Sequence, residues 1–296
     1  MTHMKQVKWR FHALILVLFT AIPASQVRGS EFRHGVLWEI SKPGIPVSYL
    51  LGTIHSDDPR VTRLPPAVVQ AFANSRSFTG ELDMDSGSME QTQKAMLLPS
   101  DQSLAAMIGQ ERFRKCVTLM AEYGVPESIV NRMKPWAIAL QLNMPKPTTD
   151  RFLDLTLYQQ ALKRGIPVYA LETIPEQIAV FDKLPIEQQI MLLDEAMANY
   201  GDTSALIDTL IDLYLARDLA GLASINNDQM QKGDEDLAAK VEQRLIVVRN
   251  QRMVERMQPR LRDGHAFIAV GALHLPGKDG ILNLLEQQGY LVKYVY

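Results

Sequence analysis

The chain builds one local pattern twice, near its opposite ends. "SYLLGTIH" (48–55) is an apolar run that closes on Gly52 and reaches a histidine three residues later. "AFIAVGALH" (266–274) does the same with Gly271 and His274, roughly 220 residues downstream. An apolar run of this length bounded by glycine reads as a buried strand. Glycine lets the chain leave the strand at an unusual dihedral or pass close to another group. The residues after the glycine then lie beyond the strand's carboxyl end, where open α/β sheets hold their ligands. His55 and His274 converge on one crevice only if these two strands are neighbours. The two ends of the chain must therefore share a sheet.

The segments between support that arrangement. "GVLWEISKPGIPVSYLLGTIH" (35–55) is two β-rich runs around a Pro/Gly turn, a hairpin. "LPPAVVQAFANS" (64–75) has helical periodicity, and "SFTGELDMD" (77–85) is a short strand ending in acids, which completes the strand–helix–strand signature of a parallel sheet. The middle is helical, with amphipathic runs stopping at Gly124 and Gly165. "IPVYALE" (166–172) reads as another strand, residues 235–258 as a long helix, and "HAFIAVG", "DGILNLLEQQG" and "YLVKYVY" as strand, helix, strand. The expected fold is α/β (α+β): a central mixed sheet drawn from both termini and flanked by helices. It forms a single domain over 36–296 with a largely helical insertion at about 100–235.

At the amino terminus, Lys5, Lys8 and Arg10 precede the apolar stretch "ALILVLFTAI" (13–22) and then "PASQVRGS". Basic residues, a short apolar region and small residues near a cleavage point make residues 1–29 an export signal. The stretch is shorter than the ~20 residues of a standard membrane span. The expected location is periplasmic or secreted, with membrane contact only through an uncleaved signal. The single cysteine, Cys116, excludes an internal disulfide and a cysteine-rich zinc site. A net charge of −2 gives no basic surface for nucleic acid.

The acids narrow the chemistry. Glu81 and Asp83 follow the strand next after His55, and their spacing by two puts them on one face of an extended segment. Glu172 stands in the same place after "IPVYAL". Two imidazoles and one or two carboxylates at strand ends suit a divalent cation with open positions. Arg249 and Asn250 sit among apolar neighbours on the long helix, and Arg249 is suited to hold a carboxylate or an oxyanion. Taken singly, a histidine past a strand is more often a hydrogen-bonded structural residue, and such acids cap helices. There is no H-E-x-x-H, no G-x-S-x-G and no G-x-G-x-x-G after a strand.

At these residues the chain resembles the TraB/GumN family, related to the Tiki metalloproteases, and within it the GumN-like branch. The matching features are the two G-x-x-H motifs, Glu81 in "ELD" (81–83) and "KPW" (134–136). "LET" with a following glutamine (171–177), "RN" with a following methionine (249–253) and "VGALHLPG" with "GILNLLEQQGY" complete the set. The likeness covers about residues 36–296. It implies a metal site of His55, Glu81 and His274 holding manganese or cobalt; the donor set also suits zinc, and the residues themselves offer Glu81, Glu172 and Arg249 as catalytic candidates. The resulting expectation is an exported metal-dependent hydrolase acting on a peptide or protein. Two other readings use the same crevice: a non-catalytic binding protein for a peptide, metal or tetrapyrrole, and a metal-free esterase with a histidine base.

Overall fold

The computed structural model describes residues 32–146, 149, 151–230, 241 and 243–296. The expected signal at 1–29, and residues 235–240 of the expected long helix, lie outside them. Among the described residues six strands form one sheet: β1 (Leu37–Lys42), β2 (Ile45–Thr53), β3 (Ser77–Gly80), β4 (Val168–Ala170), β5 (Ala266–Gly271) and β6 (Leu291–Tyr294). Their spatial order is β4-β3-β5-β2-β1-β6.

The expected hairpin is present, with β1 and β2 antiparallel across a turn in which Gly44 takes φ 79°. β6 adds antiparallel to the far edge of β1. On the other side β2, β5, β3 and β4 are all parallel. The sheet is thus mixed, and both termini supply it. In particular β5 lies directly beside β2, with Gly52 opposite Val270 and Thr53 opposite Gly271. The two G-x-x-H segments leave the sheet side by side at the same height.

Of the helices, nine shape the core and the site. They are α1 (Pro66–Asn74), α2 (Gln110–Ala121), α3 (Pro135–Leu142), α4 (Leu153–Arg164), α5 (Ile174–Asp182), α6 (Ile186–Asn199), α7 (Thr203–Leu215), α8 (Val248–Asp263) and α9 (Ile281–Gln287). α4 stops where Gly165 turns left-handed at φ 67°, the usual device for ending a helix. α8 continues five residues beyond the expected end at 258, carrying Pro259 inside it. Proline sacrifices one backbone bond. Met253, Met257 and Leu261 are buried on either side of it and hold the helix against the core. A π-helical turn, Gln243–Val247, leads into α8.

Among the described residues, buried apolar side chains form two clusters. One packs both faces of the sheet, from Leu37 and Leu50 to Phe267 and Leu285. The other is the interior of the helical middle, built from α2, α3, α5 and α6 around Met120, Trp136, Phe181 and Leu193. The carboxyl ends of the parallel strands face the seam between them. There the first glycine has a steric role. A Cβ on Gly52 would stand 2.7 Å from Leu275 Cδ1 and 3.1 Å from the Ala272 backbone, both in the turn after β5. The second G-x-x-H turn therefore packs directly onto the first. Overpacking of this kind is destabilising. We expect Gly52→Val to lower stability by about 1–3 kcal/mol in urea unfolding; an unchanged midpoint would contradict this close approach.

Candidate functional site

The strand register itself brings two acids together. Beyond the last paired residues, Leu171 N–H donates to Gly80 O (2.9 Å) and Glu172 N–H to Glu81 O (2.8 Å). Glu81 and Glu172 thus stand side by side past the ends of β3 and β4, both buried. Two adjacent buried carboxylates require a cation or protons. Arg249, 1% exposed, comes down from the first turn of α8 between them. Its Nη2 lies 2.6 Å from Glu81 Oε2 and 2.7 Å from Glu172 Oε2, and its Nε donates to Glu172 Oε2 at 2.8 Å. Burial acts to lower the guanidinium pKa, and the attraction of Glu81 and Glu172 more than reverses it. Gln177 of α5 donates to both acids at 3.1 Å, and Arg252 reaches Glu172 Oε1 at 3.2 Å.

Glu81 is differently occupied at its two oxygens. Oε2 accepts from Arg249 and Gln177. Oε1 accepts from the Gly271 N–H at 2.7 Å and also faces His274 Nε2 at 3.9 Å. The second glycine therefore serves the site through its backbone donor, at the point where β5 ends.

The His274 ring is oriented by Asn250. The Asn250 amide nitrogen donates to the carbonyls of Asp279 (2.8 Å) and His274 (3.3 Å), so its Oδ1 is the atom facing His274 Nδ1 at 2.6 Å. An amide oxygen accepts, which assigns the proton to Nδ1 and leaves a lone pair on Nε2. Burial first, and then the Arg249 charge, push the His274 pKa down to about 3, with Glu172 opposing. The lone pair of His274 Nε2 thus faces Glu81 Oε1, which already accepts from the Gly271 N–H. Asn250 in this role matches the outer partner that fixes a metal-ligating histidine.

His55 is also buried, two residues past β2, with its ring stacked on Phe152 (4.2 Å between centroids, 9° apart). The structure brings Glu81 and His274 face to face and holds His55 against Phe152. Among the described residues, no three His, Cys, Asp or Glu side chains gather closely enough to hold one metal ion. Asp83 does not join Glu81. The extended conformation ends at Gly80, so the period of two fails, and Asp83 is exposed and accepts from Tyr158 (2.7 Å).

Three further polar residues belong to this region; Gln177 and Thr53 lie inside the matched motifs without being picked out as site residues, and Asp154 lies in none. Gln177 lies on the first turn of α5, behind the Thr173–Glu176 capping box. Thr53 is the last residue of β2. Asp154 lies on the first turn of α4, 5% exposed, with its pKa pushed up to about 7 by burial; the Thr53 hydroxyl works against this shift and Glu81 adds to it. The legible signal for Asp154 is its position, since it shares the apolar stripe of Leu157, Tyr158 and Ala161.

Fold and site together define an α/β protein whose polar centre is assembled from both chain ends at the carboxyl edge of a parallel sheet. The TraB/PrgY/gumN family model matches residues 36–294. The chain belongs to the TraB/PrgY/gumN family. It is 27% identical to Metalloprotease TIKI2 of Danio rerio, covering 92% of this chain and 62% of that one. It is 25% identical to Uncharacterized protein YbaP of Escherichia coli (strain K12), over 88% and 95%, and 24% identical to human Metalloprotease TIKI1, over 88% and 62%. The chain thus spans about three fifths of the length of these Tiki relatives. No solved structure matches it.

Removing one member of a buried ion pair strands the others. Arg249→Met should cost about 3–5 kcal/mol in chemical unfolding, and a loss below about 1 kcal/mol would show that the glutamates do not need it. The pKa shifts predict opposed pH effects in metal-free protein. His274 binds its proton more tightly when unfolded, so stability falls as pH drops from 6.5 toward about 3. Asp154 binds its proton more tightly when folded, so its contribution falls as pH rises from 3.8 through about 7. Melting curves across pH should lose the first slope in His274→Gln and the second in Asp154→Asn, the latter gaining stability at pH 8.

Proposed function

We propose that this chain is an exported metal-dependent hydrolase acting on peptide or protein bonds, with its reaction centre at the Glu81–His274 juxtaposition. The observation that carries the reading is the pair of opposed lone-pair atoms, Glu81 Oε1 and His274 Nε2, 3.9 Å apart and buried. Arg249 balances the charge of Glu81 from the Oε2 side and Gly271 donates to Oε1, while Nε2 of His274 keeps a lone pair directed at the same oxygen. Neutral imidazole nitrogen and carboxylate oxygen are also the donors that zinc, manganese and cobalt accept. Glu81 and His274 would hold the ion, with His55 as the third ligand from the neighbouring strand. The kinship with the Tiki metalloproteases supports the same class of reaction.

A divalent cation at that point supplies Lewis-acid polarisation of a carbonyl. The chain's own groups do the rest. Asn250 holds the His274 ring and its tautomer. Arg249 and Gln177 fix Glu81 Oε2, which leaves Oε1 facing the Gly271 N–H and His274 Nε2. Glu172, neutralised by Arg249 and Arg252, keeps Arg249 in place. In this reading Arg249 acts through Glu81 and Glu172 as a positioning residue.

The test is metal content and peptide turnover in one preparation. Protein purified and reconstituted with Mn²⁺, Co²⁺ or Zn²⁺ should bind about one ion per chain and cleave a peptide library. Chelation should abolish cleavage and metal should restore it. His274→Ala and Glu81→Gln should each lose both metal and at least about 100-fold in kcat/KM. Absence of stoichiometric metal in every preparation, or turnover indifferent to chelator, would overturn the proposal.

A further inference from the structure

The two histidines of the proposed site are steadied by different means. Asn250 grips the His274 ring at its edge, through Nδ1. Phe152 covers the face of the His55 ring, with centroids 4.2 Å apart and planes 9° apart. Phe152 is the extended residue (φ −68°, ψ 150°) from which α4 starts, and Leu153 and Leu157 root that helix in the sheet cluster. Three residues before it, the Thr149 N–H donates to Oδ2 of Asp57 at 2.5 Å. Asp57 lies two residues past His55, so the chain ahead of α4 meets the first G-x-x-H turn at two points.

The stack touches the part of the ring that coordination does not use. An imidazole nitrogen binds a cation through the lone pair in its ring plane. A stacked neighbour blocks tilting of that plane. Aromatic pairs favour offset arrangements, so the same neighbour permits sliding within it. Glu81 and His274 already face each other at 3.9 Å, whereas among the described residues no third His, Cys, Asp or Glu side chain gathers closely enough to complete a metal site. His55, past the end of the neighbouring strand, must still approach, and a ring guided by Phe152 moves edge first.

We propose that Phe152 is the positioning residue for His55: it fixes the plane of the imidazole so that a ring nitrogen, and not the ring face, meets the cation held by Glu81 and His274. The inference rests on the metal-hydrolase reading and adds to it the counterpart of Asn250 for the second histidine. Orienting a ligand from outside the coordination shell is worth about 10–100-fold in metal affinity. The requirement is for a flat ring and not for apolar volume, which separates this role from ordinary core packing.

The experiment measures Mn²⁺, Co²⁺ and Zn²⁺ binding to the full chain, stripped of metal, by calorimetry. Phe152→Leu should weaken binding by about tenfold or more, and Phe152→Tyr, which keeps the ring, should stay within about threefold of wild type. Phe152→Met keeps apolar volume without a ring and decides the matter if Phe152→Leu does not fold. The double variant His55→Ala with Phe152→Leu should bind no more weakly than His55→Ala alone, because Phe152 then has no ligand to orient. A purely structural Phe152 would add its own loss in that background. Wild-type affinity in Phe152→Leu or in His55→Ala overturns the proposal. So does a Phe152→Leu loss that persists without His55, or a Phe152→Tyr loss as large as that of Phe152→Leu. Ions bound alike by wild type and Phe152→Leu sink this inference and leave the hydrolase reading standing; no ion bound by wild type sinks both.

Discussion

Arg249 is the keystone of this structure. Glu81 and Glu172 are forced together by the parallel register of β3 and β4, and neither can be left bare in so dry a place. The guanidinium between them ties α8 to the strand ends, and through them to the helical middle that supplies Gln177. α8 is held in one rotation about its axis as a result. That rotation puts Asn250, the next residue, against His274. A buried ion pair and the orientation of the His274 ring are thus settled by adjacent residues on one turn. Buried ion pairs add little stability by themselves; their clearest effect here is to select a single geometry.

The glycines of the two motifs have different work. Gly52 makes room, because the turn after β5 lies against it. Gly271 contributes an N–H to Glu81. The repeated pattern in sequence therefore does not reflect a repeated function. One glycine lets the two segments approach, and the other locks an acid from a third strand into the gap. The result is a site in which backbone, side chain and strand register specify one another.

Much of this is legible in the residues. The hairpin, the parallel strands and the neighbourhood of β2 and β5 follow from apolar runs, turn residues and the paired G-x-x-H segments. Arg249 and Asn250 stand out as polar residues among apolar neighbours. The partners are not legible. Whether Arg249 meets a carboxylate or an oxyanion depends on register between β3 and β4, which no local pattern encodes. Asp83 departs from its expected place because the period of two does not continue past Gly80, where the strand ends. Asp154 interrupts an apolar stripe, a signal easily passed over in a single helix, and the stacking of Phe152 on His55 has no local sequence signature.

The strand order has a consequence for how the chain reaches this state. The amino-terminal hairpin is flanked on one side by β5 and on the other by β6, both from the last stretch of the chain. Until that stretch is available, both edges of the hairpin carry unpaired backbone groups, the condition that invites strand pairing between molecules. The contacts that relieve it span more than two hundred residues, so they form late and slowly. A partly made chain therefore holds no site and two open edges, a vulnerability written into the order of its strands.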